Sequence, residues 1–136
     1  MNEQILTTFI GIATGTIGYW IATFWMQPIL RYKELRLRVF SDLIFYANSV
    51  IADGMNESVK ESCMRRIDSN RRHSAELTAC YEILPFWYKF WLKSRGYEVE
   101  NAARNLIGYS NTPNYDDAVK RVNAIKTALG FDTDLV

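Results

Sequence analysis

The sequence predicts an all-α protein: one N-terminal transmembrane helix, residues 1–28, followed by a cytoplasmic bundle of about four helices, residues 29–136. Three observations predict it. The stretch "ILTTFIGIATGTIGYWIATFWM", Ile5 to Met26, holds no charged side chain. Beyond it, apolar residues recur at spacings of three and four, with little of the alternation that marks strands. A chain of 136 residues is the length of a single domain, and its 49% hydrophobic content is not that of a disordered protein.

The span comes first. Its uncharged stretch, at about 1.5 Å per residue, makes a helix of roughly 33 Å, enough to cross a hydrocarbon core of about 30 Å. A cleaved signal peptide is the alternative, but no basic region precedes the stretch, and Gly11 to Gly18 interrupt what would be the apolar core of the signal. Before the span the charged side chain is Glu3; after it come Arg31, Lys33, Arg36 and Arg38. By the positive-inside rule this orients the N-terminus outward and the body into the cytoplasm. The same four cations suit anionic lipid headgroups, at about 1 kcal/mol each. Trp20 and Trp25 fit an interfacial aromatic belt, and Pro28 marks a break before the next helix.

Gly11, Gly15, Gly18 and Ala22 fall on a strip about 60° wide, with Phe9, Trp20 and Phe24 on the opposite side. Small residues let spans approach closely, so this strip predicts self-association, against the alternative of a glycine-rich monomeric anchor. A homo-oligomer held through the span is expected.

A helix over about 29–52 follows, with two apolar stripes. Tyr32, Leu35, Val39, Leu43, Tyr46 and Val50 form one; Leu37, Phe40, Ile44, Ala47 and Ile51 form the other. Two such stripes predict a central helix packed on both faces, either within the bundle or across a subunit boundary. Asp53-Gly54 stops it, and Asn56 or Ser58 caps the next helix, expected over about 57–84. That helix repeats Val59, Cys63, Ile67, Asn70, Ser74, Leu77, Tyr81 and Leu84, with a polar middle, and Pro85 ends it. Shorter helices are expected over about 99–109 and 115–129. Asp116 and Asp117 favour the start of the last one, and Gly130-Phe131 reads as its C-terminal cap. Cys63 and Cys80 read as reduced core thiols; no zinc set, metal site or cofactor is implied.

Two stretches bear on recognition. "PFWYKFWLKSRGY", Pro85 to Tyr97, is too apolar for an ordinary surface helix. It is expected first as a plug beneath the bundle. A helix lying among headgroups and a surface buried between subunits are the other readings, with Trp87 and Trp91 as interface aromatics. The second stretch, "RRIDSNRRHSAE", holds Arg65, Arg66, Arg71, Arg72 and His73, a candidate anion- or RNA-binding cluster, or else a solvated helix face. Arg66, Asn70 and His73 share one flank of the helix.

The spacing of Arg66 and His73 resembles the R-x(4–6)-H pattern of HEPN domains, small helical bundles that often cut RNA as dimers. One span followed by such a bundle also resembles the type VI CRISPR accessory proteins, which assemble into a membrane pore used in phage defence. The resemblance implies His73 as general acid or base toward the ribose 2′-hydroxyl and Arg66 as the group that stabilises the phosphorane. It also implies a defence role.

The net charge of +1 exerts no overall pull on nucleic acid, and with the phosphate-binding and nucleophile-elbow motifs missing no nucleotide enzyme is expected. The sequence therefore leads to an oligomeric single-span inner-membrane protein. Its bundle senses or docks a cytoplasmic partner, and its assembled spans act on the membrane. A tethered HEPN-like RNA-binding protein or RNase is the first alternative, and a passive membrane scaffold the second.

Overall fold

One helix of 44 residues, Asn2–Phe45, runs from the apolar stretch straight into the folded part of the protein. The computed structural model describes residues 2–47 and 56–131. Within the long helix, α1 (Asn2–Ile21) passes through a π-helical turn (Ala22–Met26) into α2 (Gln27–Phe45). After it come α3 (Glu57–Glu82), α4 (Phe86–Ser94), α5 (Val99–Asn111) and α6 (Tyr115–Leu129), with no strand among the described residues.

Pro28 does not break the helix, contrary to expectation. Proline lacks an N–H, and its ring collides with the carbonyl four residues back. The π turn widens the helix just ahead of it, with the Gln27 N–H bonded to the Ala22 carbonyl five residues back. The widening absorbs the proline, and both segments continue as one helix.

The apolar part of this helix is wholly exposed, and it is long and apolar enough to cross a membrane. Four of its hydroxyls are already satisfied: Thr7, Thr8, Thr14 and Thr16 each donate to the carbonyl four residues back, at 2.8 Å. Nothing polar on these side chains asks for water.

In α2 the first stripe is the buried one, through Tyr32, Leu35, Val39 and Leu43. The second is only partly packed within the chain: Phe40 stacks on Phe131 at 4.4 Å, while Leu37 and Ile44 are exposed. Thus α2 lines one side of the core and is not central. Val50, Ile51 and the Asp53-Gly54 stop lie outside the described residues.

The middle position belongs to α3, which packs against α2 on one side and α5 on the other, while α6 lies against α5 and touches α2. Leu77, Leu92, Leu106, Ile125 and Leu129 fill the centre around Tyr32 and Tyr109. The polar middle of α3 is tied in by Ser74, whose Oγ donates to the Ala103 carbonyl at 2.8 Å. Both ends of α6 are capped: the Asn114 side chain accepts from the Asp116 N–H, and Gly130 turns left-handed at φ 72°. The Phe131 N–H then bonds back to the Lys126 carbonyl at 2.8 Å, closing a Schellman turn. Across from it, the Tyr97 ring covers Gly130 where a Cβ would stand, so any larger residue there meets both strain and a clash.

Candidate functional sites

Arg66, Asn70 and His73 point inward from α3, exposed by 3%, 1% and 4%. The Arg66 guanidinium lies over the Tyr109 ring at 4.8 Å from its centroid. His73 Nε2 sits 2.8 Å from Asp42 Oδ2, and the Ser69 hydroxyl donates to the same oxygen at 2.5 Å. A carboxylate accepts only, so in the neutral ring the proton is on Nε2 and the lone pair on Nδ1. Nδ1 is itself fully buried and has no hydrogen-bond partner among the described residues, as do Arg66 Nε and Nη1 and Asn70 Nδ2. The basic nitrogen faces the interior. This row joins α2 to α3, and neither Arg66 nor His73 offers a phosphodiester an open approach.

Asp42 is the residue that sequence reading missed. It sits 31 residues from His73, so no local spacing links them. Its place next to the buried Leu43 on an amphipathic helix was the available signal.

The basic cluster of α3 divides. Arg65, Arg71 and Arg72 are exposed; Arg65 pairs with Glu61 at 2.6 Å and Arg71 donates to Asn111 at 3.1 Å. With Arg66 and His73 turned inward, the five do not form one basic patch.

The four cations after the span also part company. Arg31, Lys33 and Arg38 are exposed, Arg38 reaching Glu34 at 3.5 Å. Arg36 is turned into the fold: it donates to the Gly130 carbonyl at 2.9 Å and lies over the Phe131 ring at 4.3 Å. That places a cation at the negative C-terminal end of α6.

On α4 the expected plug is only half formed. Tyr88 and Leu92 are buried, while Trp87 and Trp91 are half exposed and Phe86 and Phe90 stand out at 85% and 75%. The other half of this aromatic stretch faces outward.

Along the long helix, an added Cβ at Gly11, Gly15 or Gly18 would meet no other described atom within 4 Å. Ala22, Leu30, Leu37 and Ile44 are exposed as well. Positions 15, 22, 30, 37 and 44 are spaced by seven, eight, seven and seven residues, and the interval of eight spans the π turn. A π turn holds one more residue than an α turn, so eight residues there bring the chain round to the same face that seven reach elsewhere. The small-residue strip and the exposed leucine stripe are thereby one straight seam, about 180° from the buried Tyr32–Leu43 stripe. Leu30 belongs to this seam and was not singled out from the sequence. An unbroken α-helix would have set the two halves about 80° apart.

No known protein family, curated protein or solved structure matches the chain.

Proposed function

We propose that this chain is a single-span protein of the bacterial inner membrane, with its N-terminus outside and its bundle in the cytoplasm. It pairs with further copies of itself along the seam of the long helix and uses the bundle to sense or dock a cytoplasmic partner. The observation that carries this reading is the seam: small residues in the span and Leu30, Leu37 and Ile44 beyond it share one uncovered face. Small residues favour close approach in lipid, and a heptad spacing of leucine-type residues favours pairing in water. One rigid helix carries both, so assembly in the membrane and assembly below it are the same event. Arg31, Lys33 and Arg38 support the orientation. Assembled spans that act on the membrane would make the protein a phage-defence effector or accessory, the role its resemblance implies.

The tethered RNA-binding or RNase reading draws less support, because Arg66 and His73 are enclosed. A passive scaffold would need the anchor but not the seam.

Gly15→Ile tests the proposal. The single chain has open space at that Cβ, so the substitution leaves the fold intact and obstructs only a neighbour. Detergent-resistant oligomers should fall by tenfold or more, about 1.4 kcal/mol, while Ile12→Leu, off the strip, leaves them unchanged. Equal oligomer yields from both variants would mean that the strip is not the interface.

A further inference from the structure

We propose that α4 lies in the headgroup layer of the bilayer, beside the end of the span, with phospholipid covering its outer face. This rests on the membrane reading of α1 and goes beyond it. The Trp25 ring, in the last turn of the span, meets the Trp87 ring of α4 edge-on at 6.4 Å between centroids. Tyr32 meets Tyr88 in the same way at 6.2 Å. Tyr32 is seven residues beyond Trp25, about 10 Å along the helix, so α4 is held at the level where the span leaves the hydrocarbon.

The outer face of α4 has the composition of such a site. Phe86, Phe90, Trp87 and Trp91 follow one another around an arc of about 140°, opposite and beside the buried Tyr88 and Leu92. A nine-residue helix that exposes four large aromatics is not a water-facing surface. Tryptophan favours the headgroup layer because one end of the ring is apolar and the other donates a hydrogen bond.

The cations agree. Lys89 is turned back, donating to the Glu82 carbonyl at 3.0 Å and lying over the Tyr81 ring. Lys93 and Arg95 are exposed at the C-terminal end of α4, and Arg31 and Lys33 are exposed on the first cytoplasmic turns of the long helix. Arg95 lies over the Trp91 ring at 5.4 Å, and together these cations supply positive charge suited to anionic headgroups. A second copy is a poorer occupant. The seam points away from the bundle, so a copy paired along it leaves α4 bare.

The test uses the full chain reconstituted in phosphatidylethanolamine–phosphatidylglycerol vesicles, with an environment-sensitive fluorophore on Phe90→Cys and, separately, on Phe86→Cys. Both side chains are exposed and their loss spares the core; Cys63 and Cys80 are buried, and the unsubstituted chain serves as the control for labelling at them. Lys120→Cys, exposed on α6, is the reference. The two α4 labels should emit to the blue of the α6 label and be quenched by lipids carrying a nitroxide near the headgroup. Neither effect should change when lipid is added to dilute the protein. Emission like that of the α6 label, in protein that still floats with vesicles, would overturn the placement of α4 and leave the span standing. A blue shift that vanishes on dilution would assign the face to another copy and equally overturn it. Protein that does not float with vesicles would overturn the membrane reading itself.

Discussion

Pro28→Ala should rotate the two halves of the seam apart, and removing one further residue should bring them back. The π turn exists beside a proline whose ring an ordinary α turn cannot hold. Alanine removes that conflict, and the turn relaxes to α geometry, which forms better hydrogen bonds. The extra residue then carries α1 round by about 100° relative to α2, moving Cα atoms about 3.5 Å around the axis. Leu30, Leu37 and Ile44 no longer face a partner when the glycines do. Covering each contributes on the order of 2 kcal/mol through buried apolar surface, so about 6 kcal/mol per chain is withdrawn from the assembly. Deleting Thr23 in the Pro28→Ala background shortens the interval from Ala22 to Leu30 to seven and restores one face. The assay is oxidative cross-linking of copies through a cysteine at Gly11 and, in separate protein, at Leu37. The parent sequence should cross-link at both sites, Pro28→Ala at one of them, and the deletion variant at both again. Cross-linking at both sites in Pro28→Ala, or no recovery on deletion, would refute the shared seam.

Two more perturbations address the bundle. Asp42→Ala strips the acceptor from His73 and Ser69 and leaves both ring nitrogens of a buried histidine unpaired; with Asp42 31% exposed, water offsets part of the cost. About 2 kcal/mol of stability should go, read by thermal unfolding in micelles, and a loss under about 0.5 kcal/mol would mean the row is not a structural tie. Burial raises the Tyr32 phenol well above its ordinary value of 10.0, so the folded state holds the proton longer than the unfolded chain does. That stability is full below about pH 10 and is lost as pH rises above it. Tyr32→Phe should flatten the alkaline decline without abolishing it, since burial raises Tyr88 too, and should be neutral or slightly stabilising at pH 7, because the hydroxyl has no partner among the described residues.

Helix positions were legible because they rest on local rules. The period of the buried residues located α3, α5 and α6, and the Gly130-Phe131 cap marked where α6 ends. Pro28 misled because a proline obstructs a helix in two ways, and only the structure shows a π turn accommodating both. The second stripe of α2 divides because sequence tells which residues are apolar, not which neighbour covers them: Phe40 finds Phe131, while Leu37 and Ile44 stay exposed. The aromatic stretch divides for the same reason. Asp42 with His73, and Arg36 with Gly130, are contacts between distant segments that no spacing announces. Arg36 looked like one more membrane cation, and only the position of α6 turns it inward.

The bond from Arg36 to the Gly130 carbonyl joins residues 94 positions apart, and with it Phe40 receives the Phe131 ring. During synthesis the span leaves the ribosome first, long before α6 exists. Until residue 131 emerges, Phe40 lacks its stacking partner and the Arg36 guanidinium has no carbonyl to hold. At about 5–20 residues per second, that interval lasts on the order of 5 to 20 seconds. The last turn of α6 is therefore a closing clasp. A nascent chain stalled before Gly130 would be left without that clasp.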